Sequence, residues 1–460
     1  MSEKEVQFAS PVTAGPTSKL EYVQDDVDPK KLTRKILWKL DTRVLPPIAI
    51  LYLCNFFDRS NVGNAKVLGL EADLHLTNHQ YATALCIFYV FYVVADVPSN
   101  LFLKTATPRI WLPLLAVLWG FVVMCAGFVR NFGKFVAIQS LLGIFEGGLY
   151  PGSLLYLSTL YTREELALRV DIFYSSASLS GAFGGLLATG LSQIPTTSAI
   201  DRSWRWILII EGLITIVCGI GAIALIPNSV DTASFLTPFE REYARARLEA
   251  SNTVSGFSTE PERFQCLYSF SLFLPSIVVS LGYSGSKAQL MTVPPYAIAA
   301  VTGTLVAFLS DKVQLRGILV LFTLPLGVTG YAVIARVDSN HVKYGMTVLM
   351  AVGIYSSVPP ILVWLLNNST GHYKRATSGT MQLVLANCGG IVAAFLYSND
   401  EKPKYYKSHN IAMGCLIYAW LGVLLNVLYC WQVNKDKAER KYDKFIGSGD
   451  DGDPSFKLIL

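Results

Sequence analysis

Long apolar runs dominate the chain, and polar residues gather in short stretches between them. A helix crossing a ~30 Å hydrocarbon core needs about 20 apolar residues. Runs of that kind fall at 46–65, 81–103, 111–129, 134–155, 170–193, 205–226, 265–282, 288–309, 317–336, 344–366, 377–397 and 411–431, and they predict twelve transmembrane helices. The seventh is short: Cys266 to Leu281 contain Pro275 and rise only roughly 24 Å as a helix. The longest connection, 227–264, carries Glu240-Arg241-Glu242, Arg245, Arg247 and Glu249 at helical spacing. It is expected to be a cytosolic linker with an amphipathic surface helix. It divides an N-terminal six-helix bundle, 44–226, from a C-terminal bundle, 265–431. Residues 1–43 are polar, hold Pro11, Pro16 and Pro29, and lack an apolar core. They are expected to form a disordered cytosolic tail, and 432–460 a second cytosolic tail.

Composition strengthens this reading. The chain is 52% hydrophobic and only 15% charged, against about 25% charge in soluble domains. Loop charges add an orientation. Lys30, Lys31, Arg34, Lys35, Lys39 and Arg43 precede the first span, and every second loop is basic, for example Lys104 and Arg109, Lys312 and Arg316, and Lys374 and Arg375. Both termini are therefore expected in the cytosol, with the lipid bilayer as the main partner and no nucleic-acid surface. Eight cysteines are scattered without a C-x-x-C pair, which argues against zinc and a disulfide framework. His75, His79, His341, His372 and His409 all fall in predicted loops. No catalytic triad, metal set or cofactor motif stands out, so neither an enzyme nor a cofactor is expected.

Ionisable groups inside apolar spans are costly there and mark function by default. The first span holds Asp58-Arg59-Ser60-Asn61; counted from Pro46, Asp58 lies about 18 Å deep. In the fourth, Gln139, Gly143, Glu146 and Tyr150 share one helix face, with Glu146 about 16 Å deep. Alternating-access carriers bind their load at such depths. Arg59 offers a planar fork for a carboxylate and is read as the substrate anchor. Asp58 and Glu146 are read as proton-coupling acids, with Asn61, Gln139, Tyr150, Gln382 and Asn387 as further substrate contacts; Gln382 and Asn387 fit interhelical hydrogen bonding equally well. The competing reading is a static Asp58/Arg59/Glu146 network that holds two helices together. Gly143/Gly147 and Gly181/Gly185 are small-residue pairs for close helix packing. Trp204-Arg205-Trp206 is expected at the membrane interface, and Glu211 is expected to meet a cation.

These residues also carry a resemblance. Asp58 through Lys66, Val97-Pro98-Ser99-Asn100, Trp119-Gly120, Leu142 through Gly152, Trp204 through Gly212, Leu272 through Pro275, Thr292 through Tyr296, and Asn368 through Arg375 together resemble the anion:cation symporter family of the major facilitator superfamily. Its fungal branch contains allantoate, nicotinate, pantothenate and biotin permeases. The resemblance covers roughly 41–431. It implies an all-α membrane protein with the major facilitator fold, two six-helix bundles around a central cavity, and proton-coupled uptake of organic anions. The carrier is expected to be a monomer in the plasma membrane, with the vacuolar membrane as the alternative. In related bacterial sugar-acid symporters, residues matching Asp58, Arg59 and Glu146 couple protons to substrate. Arg169, Asp311 and Arg316 are candidate gating residues. Three departures matter. Gln139 replaces a frequent Arg, which points to a monocarboxylate. Lys104 replaces a usual acid. The seventh helix lacks about half the family's length. An exporter of a secondary metabolite, or a sensor that no longer transports, are the alternative functions.

Overall fold

The computed structural model describes residues 28–103, 106–191, 203–251, 274–369, 372–397, 405–445, 452–454 and 456–460. Among them every regular element is helical. The helices are α1 (Pro29–Arg43), α2 (Leu45–Val67), α3 (Leu70–Asp73), α4 (Asn78–Leu103), α5 (Pro108–Ala126), α6 (Phe132–Glu146), α7 (Leu149–Ser158), α8 (Arg163–Leu191), α9 (Ser203–Leu225), α10 (Pro238–Ser251), α11 (Gly285–Leu290), α12 (Val293–Val313), α13 (Arg316–Ile334), α14 (Asn340–Asn367), α15 (His372–Ala394) and α16 (Tyr406–Ala438). Among the described residues, seven helical stretches are long and apolar enough to cross a membrane. They coincide with the expected spans one, three, six, eight, nine, ten and twelve.

Local chemistry explains several boundaries. Residues 29–43 are helical where the sequence suggests a disordered tail. Asp28 accepts a hydrogen bond from the Lys30 N–H at 3.0 Å, and Pro29 fills the first helical position, where its missing donor is harmless. After α2 the chain turns through Gly69 at φ 100°, a left-handed conformation that favours glycine. The expected fourth span is broken into α6 and α7 at Gly147 and Gly148. Pro151 has no N–H to donate to the Gly147 carbonyl, so the helix cannot run straight through. The seventh span is described only as a helical segment at 274–280; the rest of its expected N-terminal part, like residues 398–404 between the expected eleventh and twelfth spans, lies outside the described residues.

Packing is the reverse of a soluble protein's. On α9, Glu211 and Thr215 are fully buried, while Val217 is 61% exposed beside exposed Leu213, Ile220 and Leu225. Similar apolar belts face outward on α12 (Val301, Leu305, Phe308) and α16 (Leu421, Leu425, Leu428). Water would penalise such a surface and lipid would not. Inside, α2 packs on α8 and α9, α4 on α6, and α5 on α9; α13 packs on α14 and α16, and α12 on α14. The two sets meet where α8 touches α11, α12 and α14, and where α4 touches α15. Glycines permit the closest approaches. A Cβ on Gly143 would press on the Tyr92 N–H at 2.9 Å, and one on Gly181 would meet the Tyr296 ring at 2.6 Å.

Polar clamps fasten the ends. Glu240 of α10 accepts from Lys39 at 2.6 Å and pairs with Lys35 at 3.2 Å, both on α1. The last residues lie as a strap over α13, α14 and α16. Trp364 and Asn368 donate to the Ile459 carbonyl at 2.8 and 2.9 Å. Asn434 donates to the Leu458 carbonyl at 2.8 Å and accepts the Leu458 N–H at 2.9 Å. One sequence expectation fails here. His79, His341, His372 and His409 stand not in loops but in α4, α14, α15 and α16, and His409 is buried in hydrogen-bond contact with the Tyr397 hydroxyl at 3.1 Å. Trp204 is fully buried at the start of α9, and Arg205 is bound to Asp73 at 2.8 Å.

Candidate functional site

The polar centre is built on the middle of α2. Adjacent residues on a helix point about 100° apart, so Asp58 and Arg59 serve different neighbours. Arg59 turns to α4 and α6. Its Nη2 lies 3.4 Å from Glu146 Oε2, and the same oxygen accepts from Asn55 Nδ2 at 3.0 Å. The guanidinium sits over the rings of Tyr92, Phe56 and Phe88, at 4.7, 5.0 and 5.5 Å from their centroids. Aromatic faces stabilise a desolvated cation and hold the fork in place without neutralising it. Arg59 and Glu146 are both buried, Glu146 completely.

Asp58 turns to α9 and faces Glu211, with their carboxyl groups in side-chain contact. The expected cationic neighbour of Glu211 is therefore replaced by an acid. The helix spacing explains this: Glu211 and Thr215, four residues apart, both lie on the inward face of α9, and that face meets the Asp58 side of α2. Sequence reasoning missed Glu211 as a member of the polar centre. Its depth within an apolar span was the available signal.

The other candidates scatter. Gln139, Gly143, Glu146 and Tyr150 are all buried, the first three on α6 and Tyr150 on α7 beyond the break after Glu146. Tyr150, however, packs into an aromatic cluster, its ring tilted against those of Tyr52 and Phe173 at 5.3 and 5.7 Å. Asn61 accepts from Asn64 at 2.8 Å. Gln382 and Asn387 are buried in α15, and neither amide atom of Gln382 has a hydrogen-bond partner among the described residues. Arg169 grips Asp41 of the α1 end through two bonds, of 3.0 and 2.6 Å. Arg316 is fully buried at the start of α13, beside the strap, where the Gly317 N–H donates to the Leu460 carbonyl. The Asp311 side chain lies outside the described residues. No group of three or more His, Cys, Asp or Glu side chains arranged to hold a metal occurs among the described residues.

A helical bundle with a lipid-compatible exterior and a buried Arg–carboxylate centre defines a multi-pass membrane carrier. The chain belongs to the Major Facilitator Superfamily, whose sequence profile matches residues 48–394. It is 35% identical over 460 aligned residues to an uncharacterized transporter of Schizosaccharomyces pombe, covering 95% of this chain and 91% of the relative. It is 30% identical over 434 aligned residues to the high-affinity nicotinic acid transporter of Saccharomyces cerevisiae, covering 88% and 80%. Among solved structures, the fold is similar to that of a D-xylose–proton symporter, with a TM-score of 0.63 and 12% identity over 83% of this chain and 97% of that one.

Proposed function

We propose that this carrier performs proton-coupled symport of a small organic monocarboxylate, of vitamin or nitrogen-source type and nicotinate-like, by alternating access. The observation that carries the proposal is the Arg59–Glu146 pair, buried between α2 and α6 at 3.4 Å. An incoming carboxylate and Glu146 compete for one guanidinium. When substrate takes the fork, Glu146 loses its counter-charge inside a water-poor bundle and binds a proton instead, because an unpaired buried carboxylate is far costlier than its neutral form. Substrate release returns Arg59 to Glu146 and expels the proton. One guanidinium, with Gln139 in place of a second, suits a single negative charge. Gln382 would supply a neutral hydrogen-bonding contact. Arg169, Asp311 and Arg316 would act at the gates. The halves 44–226 and 265–431 would rock as units in the plasma membrane, with both termini cytosolic and the carrier a monomer.

The test is uptake of radiolabelled nicotinate in a permease-deficient yeast, in acidic and neutral medium. Wild type is expected to accumulate label faster in acid. Glu146→Gln, which mimics the protonated acid, is expected to lose that stimulation while still exchanging label. Accumulation indifferent to pH in both proteins, or net acid-independent efflux, overturns the coupling.

A further inference from the structure

Asp58 is 2% exposed and Glu211 not exposed at all. Among the described residues, none of their four carboxyl oxygens makes a well-formed hydrogen bond, and the Asn61 amide is the one donor group within reach of Glu211. The two groups touch each other across the packed α2–α9 contact. The surroundings offer little relief. On α2 the neighbouring cation, Arg59, is paired with Glu146, and the Cys54 thiol lies close by with that of Cys218 from α9. Asn61 of α2 lies beside Glu211. Glu146 of α6 adds a further negative charge within electrostatic reach of both acids. Two more helices pack on α9. α5 has no charged residue between Pro113 and Ala126, and α8 has none between Ile172 and Leu191.

Two carboxylates in contact in a dry interior cannot both ionise, because neither charge is solvated and each repels the other. A single proton resolves both problems. One carboxyl donates its O–H to the other carboxylate, forming a charge-assisted bond stronger than a neutral one. We propose that Asp58 and Glu211 share one proton across the α2–α9 contact, and that Glu211 is thereby a third coupling carboxyl beside Asp58 and Glu146. The shared proton lowers the buried negative charge by one. A second proton would neutralise the pair. Because Asp58 precedes Arg59 in the chain, any change in the pairing of Arg59 acts directly on the electrostatic field at this pair. The coupling role rests on the transport function proposed above; the proton sharing does not.

The experiment is infrared spectroscopy of purified protein in lipid, reading the C=O stretch of protonated carboxyls at neutral pH with no substrate present. Wild type is expected to show this band. Glu211→Gln and Asp58→Asn are each expected to lose intensity, since an amide N–H then stabilises the remaining carboxylate in ionised form. Absence of the band in wild type, or equal intensity in wild type and either folded variant, overturns the pair. Should a variant fail to fold, the conservative Asp58→Glu or Glu211→Asp variant is used; each keeps both carboxyls and is expected to retain the band at a shifted frequency, and an unshifted band overturns the pair. A parallel nicotinate uptake profile separates the two claims. A lost band with no uptake even by wild type leaves the pair standing and removes the transport reading. A lost band with an unchanged pH profile in a transporting Glu211→Gln variant removes the coupling role.

Discussion

Arg59 is the residue on which the site turns. Three aromatic rings fix its guanidinium and Glu146 neutralises it. Replacing it with alanine removes the anchor and strands Glu146, leaving Asn55 as its hydrogen-bond donor. A hydrogen bond to a charged group contributes about 1.5–3 kcal/mol, so Arg59→Ala is expected to weaken nicotinate binding by roughly tenfold to a hundredfold. Equilibrium binding to purified protein checks this, and unchanged affinity refutes the anchor role. At this scale much was visible in the sequence. Asp58, Arg59 and Glu146 stood out because charge inside an apolar run is rare and expensive. Their pairing was not visible: the i, i+1 geometry sends Asp58 to α9 and Arg59 to α6, and the identity of those partners depends on packing.

At the scale of elements, clamps between helices matter as much as the helices. α1 and α10 are amphipathic and joined through Glu240. Burial pushes the Glu240 carboxyl up, but the hydrogen bonds from Lys39, the Thr237 N–H and Lys35 outweigh it and hold the group at about 2, below its ordinary 4.5. A depressed carboxyl stabilises the fold where it is ionised in both states. Its contribution is therefore complete above pH 4.5 and lost as pH falls through about 2. Protection of the α10 amides against hydrogen exchange, taken relative to the intrinsic rate at each pH, is expected to hold down to pH 4.5 and to fall below it. Glu240→Gln is expected to exchange faster at neutral pH and to respond less to acid. The amphipathic linker helix was legible from its charge spacing. Helix α1 was obscured because its stabilising partner, Glu240, lies about two hundred residues further along the chain.

For the whole molecule, the two helical sets meet through α8, where Gly181 and Gly185 lie against Tyr296 and Thr292. Leucine at Gly181 would drive a side chain into the Tyr296 ring, and overpacking of that kind costs about 1–3 kcal/mol. Gly181→Leu is expected to reach the membrane, as surface biotinylation would show, yet to transport nicotinate at a small fraction of the wild-type rate. Normal uptake would mean that this contact tolerates separation. The amino-acid sequence by itself determined that this is a helical membrane protein, where most spans lie, and which ionisable residues they carry. Each of those follows from local hydrophobicity and from the cost of charge in lipid. Only the tertiary structure decided that Glu211 faces Asp58 rather than a cation, that α6 breaks just past Glu146, and that the chain's last residues strap three helices together. Those outcomes depend on which inward faces meet, and a helix period shows only that a face exists.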